Sequence, residues 1–72
     1  MNIKFTHHAQ FRLYERNFTV EQMKQAILNP DIARSTSDGK IVSKRKFIDG
    51  TIEVVYVQRK NTYIIITVYI SK

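Results

Sequence analysis

Residues 40–59, KIVSKRKFIDGTIEVVYVQR, are two runs of β-branched and aromatic residues that meet at Asp49-Gly50. Asp-Gly between runs of this kind is the strongest short-range signal of a β-hairpin. Working outward, Asp38-Gly39 and Lys60-Asn61 punctuate the chain on either side, which predicts strands near 32–36, 40–48, 51–59 and 62–70. Four antiparallel strands joined by short turns form a meander, and a sheet this small needs helices over one face to be stable.

The first third of the chain supplies two helices. Thr6 is a candidate N-cap for a helix running to about Arg16, and Asn17 suits the left-handed closing residue. Thr19-Val20-Glu21-Gln22 has the spacing of a capping box, and Val20, Met23, Ala26 and Ile27 then recur on one face. Asn29-Pro30 stops that helix, because proline disfavours a helical residue before it. The expected fold is therefore α+β, with two N-terminal helices packed on a four-stranded antiparallel sheet, in one domain spanning 1–72. In the last strand, Ile64, Ile66, Val68 and Ile70 form the wholly aliphatic alternate set and are expected on the covered face. Tyr63, Ile65, Thr67 and Tyr69 would then lie on the open face, an assignment that a bulge would reverse.

With 72 residues the chain has room for one small core, and with no cysteine that core has no disulfide or thiolate metal site to support it. Twelve Lys and Arg against six Asp and Glu give a net charge of +6, a field that draws in polyanions such as nucleic acid. The start, Met1-Asn2-Ile3-Lys4, shows no signal-peptide pattern, and the longest apolar run, from Ile64 to Ile70, is too short to span a bilayer as a helix. The expectation is a cytoplasmic protein with no membrane contact.

Two groups of residues carry possible chemistry. Lys40, Lys44, Lys46, Arg59 and Lys60 concentrate positive charge on the second and third strands of the meander, with Arg45 turned to the opposite side by alternation. They fit a phosphate backbone, and they equally fit the use of lysine to block strand edges. His8, Arg12 and Arg16 stand at four-residue steps, each turning about 40° around a helix, so an imidazole and two guanidiniums share one stripe. Arg12 and Arg16 could instead pair with Glu15, Glu21 or Glu53, and a lone helical histidine such as His8 is often a partly exposed or capping residue.

Adjacent His7 and His8 diverge on a helix and no nearby carboxylate or third histidine completes a metal site, so no metal or cofactor is expected. The serines lack a positioned base, and no glycine-rich phosphate loop is present. The chemistry left is metal-independent cleavage of RNA, in which the 2′-hydroxyl attacks the phosphate. His8 would move protons, Arg12 and Arg16 would hold phosphate oxygens, and Thr67 and Tyr69 could add hydroxyl donors. The alternative is a non-catalytic basic nucleic-acid-binding or accessory protein, with Tyr63 and Tyr69 stacking on bases. Phe11, Tyr14 and Phe18 form either an exposed aromatic strip for a partner or the core face of the first helix.

The pattern Phe5-Thr6-x-His8-Ala9-x-x-Arg12-Leu13-x-x-Arg16, then Phe18-Thr19-x-Glu21-x-Met23, Asn29-Pro30 and Ile66-Thr67-Val68-Tyr69, resembles a family of short bacterial domains of unknown function. Through that family it resembles the BrnT- and RelE-type toxins of the barnase-EndoU-colicin-RelE ribonuclease fold. The resemblance covers nearly the whole chain; Asn17 stands where many members carry glycine, and His7 matches nothing in the pattern. It implies a toxin-like endonuclease of the mRNA interferase type, with His8 as acid/base, Arg12 and Arg16 as phosphate ligands, and Thr67 and Tyr69 on the final strand. RNA is the implied substrate; separately, if the strip of Phe11, Tyr14 and Phe18 is exposed, an antitoxin-like protein or a second copy of the chain is its expected occupant.

Overall fold

The computed structural model describes residues 2–71, so Met1 and Lys72, the ends of the expected span 1–72, lie outside the described residues. The elements are β1 (Asn2–Phe5), α1 (His7–Glu15), α2 (Val20–Leu28), β2 (Ile32–Ser35), β3 (Ile41–Phe47), β4 (Gly50–Arg59) and β5 (Thr62–Ser71). Both helices start as the caps dictate. The Thr6 hydroxyl accepts from the Ala9 amide at 3.1 Å, and Thr19 and Gln22 form the reciprocal capping box. Asn17 adopts the left-handed conformation at φ 61°, which lets the chain reverse between the helices.

The expected four-stranded antiparallel sheet is corrected to a five-stranded mixed one in the order β1-β5-β4-β3-β2, so the BrnT/RelE-like sheet drawn from the resemblance does not describe this chain. The four strands expected from the meander are present. The addition is β1, which lies parallel to β5 with Ile3 beside Tyr63 and Phe5 beside Ile65. Asn2-Ile3-Lys4-Phe5 alternates polar and apolar as a strand should, but its partner is sixty residues away and parallel, so no hairpin turn announces it.

A second difference lies in β5. Val55 and Tyr56 are consecutive in β4, yet they pair with Thr67 and Ile65, which leaves Ile66 as the extra residue of a β-bulge. The covered face therefore takes Val68 and Ile70 beyond the bulge but Tyr63 and Ile65 before it, in place of Ile64 and Ile66. Thr6 holds the bulge: its hydroxyl donates to the Ile66 carbonyl at 3.1 Å while its amide donates to the Ile65 carbonyl at 3.4 Å. One side chain thus starts α1 and fixes the point where β5 changes face.

Helix α1 packs on β5 and β1, and α2 on β3 and β4. Ala9 and Leu13 of α1, Met23, Ala26 and Ile27 of α2, and Ile52, Val54, Tyr56, Ile65 and Val68 of the sheet form the core between the two layers. Phe18 belongs to this core, with its ring edge-on to Phe47 at 6.4 Å, whereas Phe11 and Tyr14 are exposed. The expected aromatic strip is corrected accordingly: Phe18 ends the α1–α2 turn pointing inward, and only two rings remain outside. Among the described residues, no helix is long and apolar enough to cross a membrane.

Candidate functional site

Pleating sorts the strand residues unambiguously, since residues paired across strands share a face and neighbours along a strand do not. Ile52, Val54 and Val68 face the helices, so Glu53, Val55, Thr67 and Tyr69 face away from them. On this open face, beyond the Val57–Ile64 and Arg59–Thr62 pairs, the register builds three rows around Thr67 and Tyr69. Arg34, Val42, Val55 and Thr67 form one; Ile32, Lys44, Glu53 and Tyr69 the next; Lys46, Thr51 and Ser71 the third. Adjacent strands are about 4.8 Å apart, so Lys44 and Tyr69 flank Glu53 within about 10 Å.

The expected residues are thereby divided between two sides of the molecule. Thr67 and Tyr69 stand with Lys44 and Lys46 on the open face, and His8, Arg12 and Arg16 project from α1 on the other side of the sheet. Arg12 is half-buried and His8 and Arg16 are exposed, and among the described residues no hydrogen bond or ion pair engages their side chains. His8 and Arg12 lie within α1 and Arg16 is its C-cap, and among the described residues Glu15, Glu21 and Glu53 form no ion pair with them.

The basic group also separates. Lys40 is tied to Asp38 across the Asp38-Gly39 turn at 2.7 Å, and the carboxylate also takes a hydrogen bond from the Thr36 hydroxyl. Hydrogen bonding from Lys40 first, and from Thr36 second, lowers the Asp38 carboxyl to about 2. Arg59 is on the open face, opposite Thr62 and about 20 Å along β4 from Glu53. Lys60 lies in the β4–β5 turn at φ 54°, where it lines a shallow cup of about 340 Å³ with Asn2, Gln58, Asn61 and Tyr63. Arg45, on the covered face as alternation requires, donates to the Asn29 carbonyl at 2.6 Å and crosses the Phe47 ring at 5.5 Å. It closes the C-terminal end of α2, where a cation suits the helix dipole.

This chain belongs to the family described as Domain of unknown function (DUF4258), matched over residues 5–70. No curated protein and no solved structure matches the chain. The DUF4258 match takes in His8, Arg12 and Arg16 and the open-face rows except Ser71, and begins at the last residue of β1.

Sequence reasoning missed Glu53, which in the linear chain is one carboxylate inside a strand. The signal that finds it is the hairpin register: with Phe47 opposite Gly50, counting back along both strands puts Lys44 opposite Glu53. Glu53 is half-buried, and among the described residues its carboxylate forms no ion pair or hydrogen bond. A carboxylate can take a proton, the two ammonium groups of Lys44 and Lys46 can hold an anion, and the phenol of Tyr69 can donate. Among the described residues no three His, Cys, Asp or Glu groups come close enough to hold a metal ion.

Proposed function

We propose that the open sheet face binds RNA and cleaves it without a metal, as a toxin-like endonuclease. The observation that carries this reading is the Lys44–Glu53–Tyr69 row, which sets a carboxylate between a cation and a phenol on an uncovered surface of a protein with a charge of +6. In this scheme Glu53 takes the proton of the 2′-hydroxyl as that oxygen attacks the adjacent phosphorus. Lys44 and Lys46 offset the charge that builds on the non-bridging oxygens. The bond to the 5′-oxygen breaks, Tyr69 supplies its proton, and the products are a 2′,3′-cyclic phosphate and a 5′-hydroxyl. Thr67, one row away, donates a hydrogen bond to the phosphate, and Arg59 holds the backbone several nucleotides further along. In this reading His8, Arg12 and Arg16 are a second row of cations on α1, outside the reacting centre.

The test is cleavage of a labelled RNA in EDTA. Glu53→Gln and Lys44→Ala are expected to lower the rate by at least about a hundredfold, with His8→Ala and Arg16→Ala close to wild type. Loss in the helix variants alone would move the centre to α1. Salt-sensitive binding of RNA with no cleavage by the wild type would replace the enzyme with a binding protein.

A further inference from the structure

Among the described residues the sheet has five stretches of unpaired edge: β1, β2, Arg45–Phe47 of β3, Val57–Arg59 of β4 and the end of β5; the two in β3 and β4 are three residues long and carry Arg45, Lys46 and Arg59, and only the last lacks the features that keep edges from pairing. The edge of β2 is four residues long, carries Arg34 and follows Pro30-Asp31. That of β1 is also four residues long and carries Lys4. Short, charged or proline-flanked edges resist strand addition. β5 is different. It is ten residues long, and β1 covers it only from Thr62 to Ile65. Thr6 takes the carbonyls of Ile65 and Ile66, and from Thr67 to Ser71 that side of β5 has no neighbouring strand among the described residues.

This open stretch reads Thr67-Val68-Tyr69-Ile70-Ser71, without charge, proline or glycine. Its side chains form a palindrome in chemical type: hydroxyl, aliphatic, tyrosine, aliphatic, hydroxyl. Antiparallel pairing of the stretch with itself about a two-fold axis at Tyr69 sets Thr67 against Ser71 of the second copy, Val68 against Ile70, and Tyr69 against Tyr69. Each residue then meets its own kind and the same face, which is what a self-complementary interface requires. We propose that this edge is the dimerisation site of the protein, joining two five-stranded sheets into one continuous sheet through β5.

The uncharged stretch keeps the net positive charge of each copy off the axis, and charges further apart than about 8 Å are screened at physiological salt. Joining the sheets also extends the row Lys44–Glu53–Tyr69 directly into the same row of the second copy. The dimer does not depend on the cleavage reading and is measured without RNA, so either can fail alone.

Sedimentation of the full chain over a hundredfold range of concentration, up to about 1 mM, should show a reversible shift from the 8.5 kDa monomer to a species of twice that mass. Tyr69→Lys, which places two like charges on the axis, should weaken the dimer at least about tenfold. Ser71→Lys, at the end of the paired stretch, should act in the same direction, while Phe11→Ser on α1 should leave dimerisation unchanged. Amide exchange of the wild type gives a readout that needs no variant: amides within 67–71 should become more protected as concentration rises. A wild type that stays monomeric throughout overturns the proposal. So does a dimer indifferent to Tyr69→Lys, one lost in Phe11→Ser, or protection that rises at β2 or α1 instead.

Discussion

On the helix-covered face Ile52, Val54, Ile65 and Val68 are fully enclosed, while on the open face of the same strands Val55, Val57 and Ile64 are only half-buried among Lys44, Lys46, Glu53 and Tyr69. Strands of nearly uniform β-propensity thus serve two purposes. One face carries the stability of a small domain with no disulfide, and the other is left with polar and charged rows that add little to folding. The difference shows that a residue in this sheet takes its role from the face it is on, more than from its type.

The largest test of that contrast is truncation. Ile52→Ala should cost about 2–5 kcal/mol in urea unfolding, because Ile52 is fully buried in the core on the strand that α2 packs against, whereas Val57→Ala on the open face should cost less than about 1.5 kcal/mol. Equal losses would break the comparison. Next comes the residue that sets which side β5 presents. Thr6→Val removes both the helix cap and the hydrogen bond to the bulge carbonyl and should cost about 1–2 kcal/mol, while Thr6→Ser should stay near wild type.

A smaller effect sharpens the functional side of the contrast. Glu53→Gln should leave stability within about 0.5 kcal/mol of wild type while abolishing RNA cleavage, the reverse of what a core substitution does. The smallest concerns a site outside both faces. The Asp38 carboxyl, held low by Lys40 and Thr36, contributes stability that is complete above its ordinary value of 3.8, fades as pH falls and is gone below about 2. Asp38→Asn should therefore melt slightly below wild type at neutral pH and coincide with it once the pH falls below 2. A gap that persists there would mean that charge is not what Asp38 contributes.

Counting outward from the β3–β4 hairpin also locates what was and was not legible. Thr19 and Gln22, Asn17, and the turn at Lys60-Asn61 act through neighbours a few residues away, and each stands where its local chemistry predicts. The candidate site was legible only in parts. Lys44, Lys46, Thr67 and Tyr69 could each be nominated from the chain, but uniting them and adding Glu53 required the register between three strands. Phe18 could be read as core or as surface, because a residue in a helix–helix turn has no periodicity to assign its side.

The amino-acid sequence by itself determined the two capped helices, the antiparallel run of β2 to β5 and the positive charge, since these arise from residue type and short-range spacing. Tertiary structure alone decided that β1 joins as a parallel edge, that Ile66 bulges and exchanges the faces of β5, and that the hydroxyls of the last strand lie across the sheet from the cations of α1. Those outcomes depend on contacts between residues some sixty positions apart, such as Thr6 with Ile66, and no local propensity encodes which distant backbone carbonyl a threonine will meet.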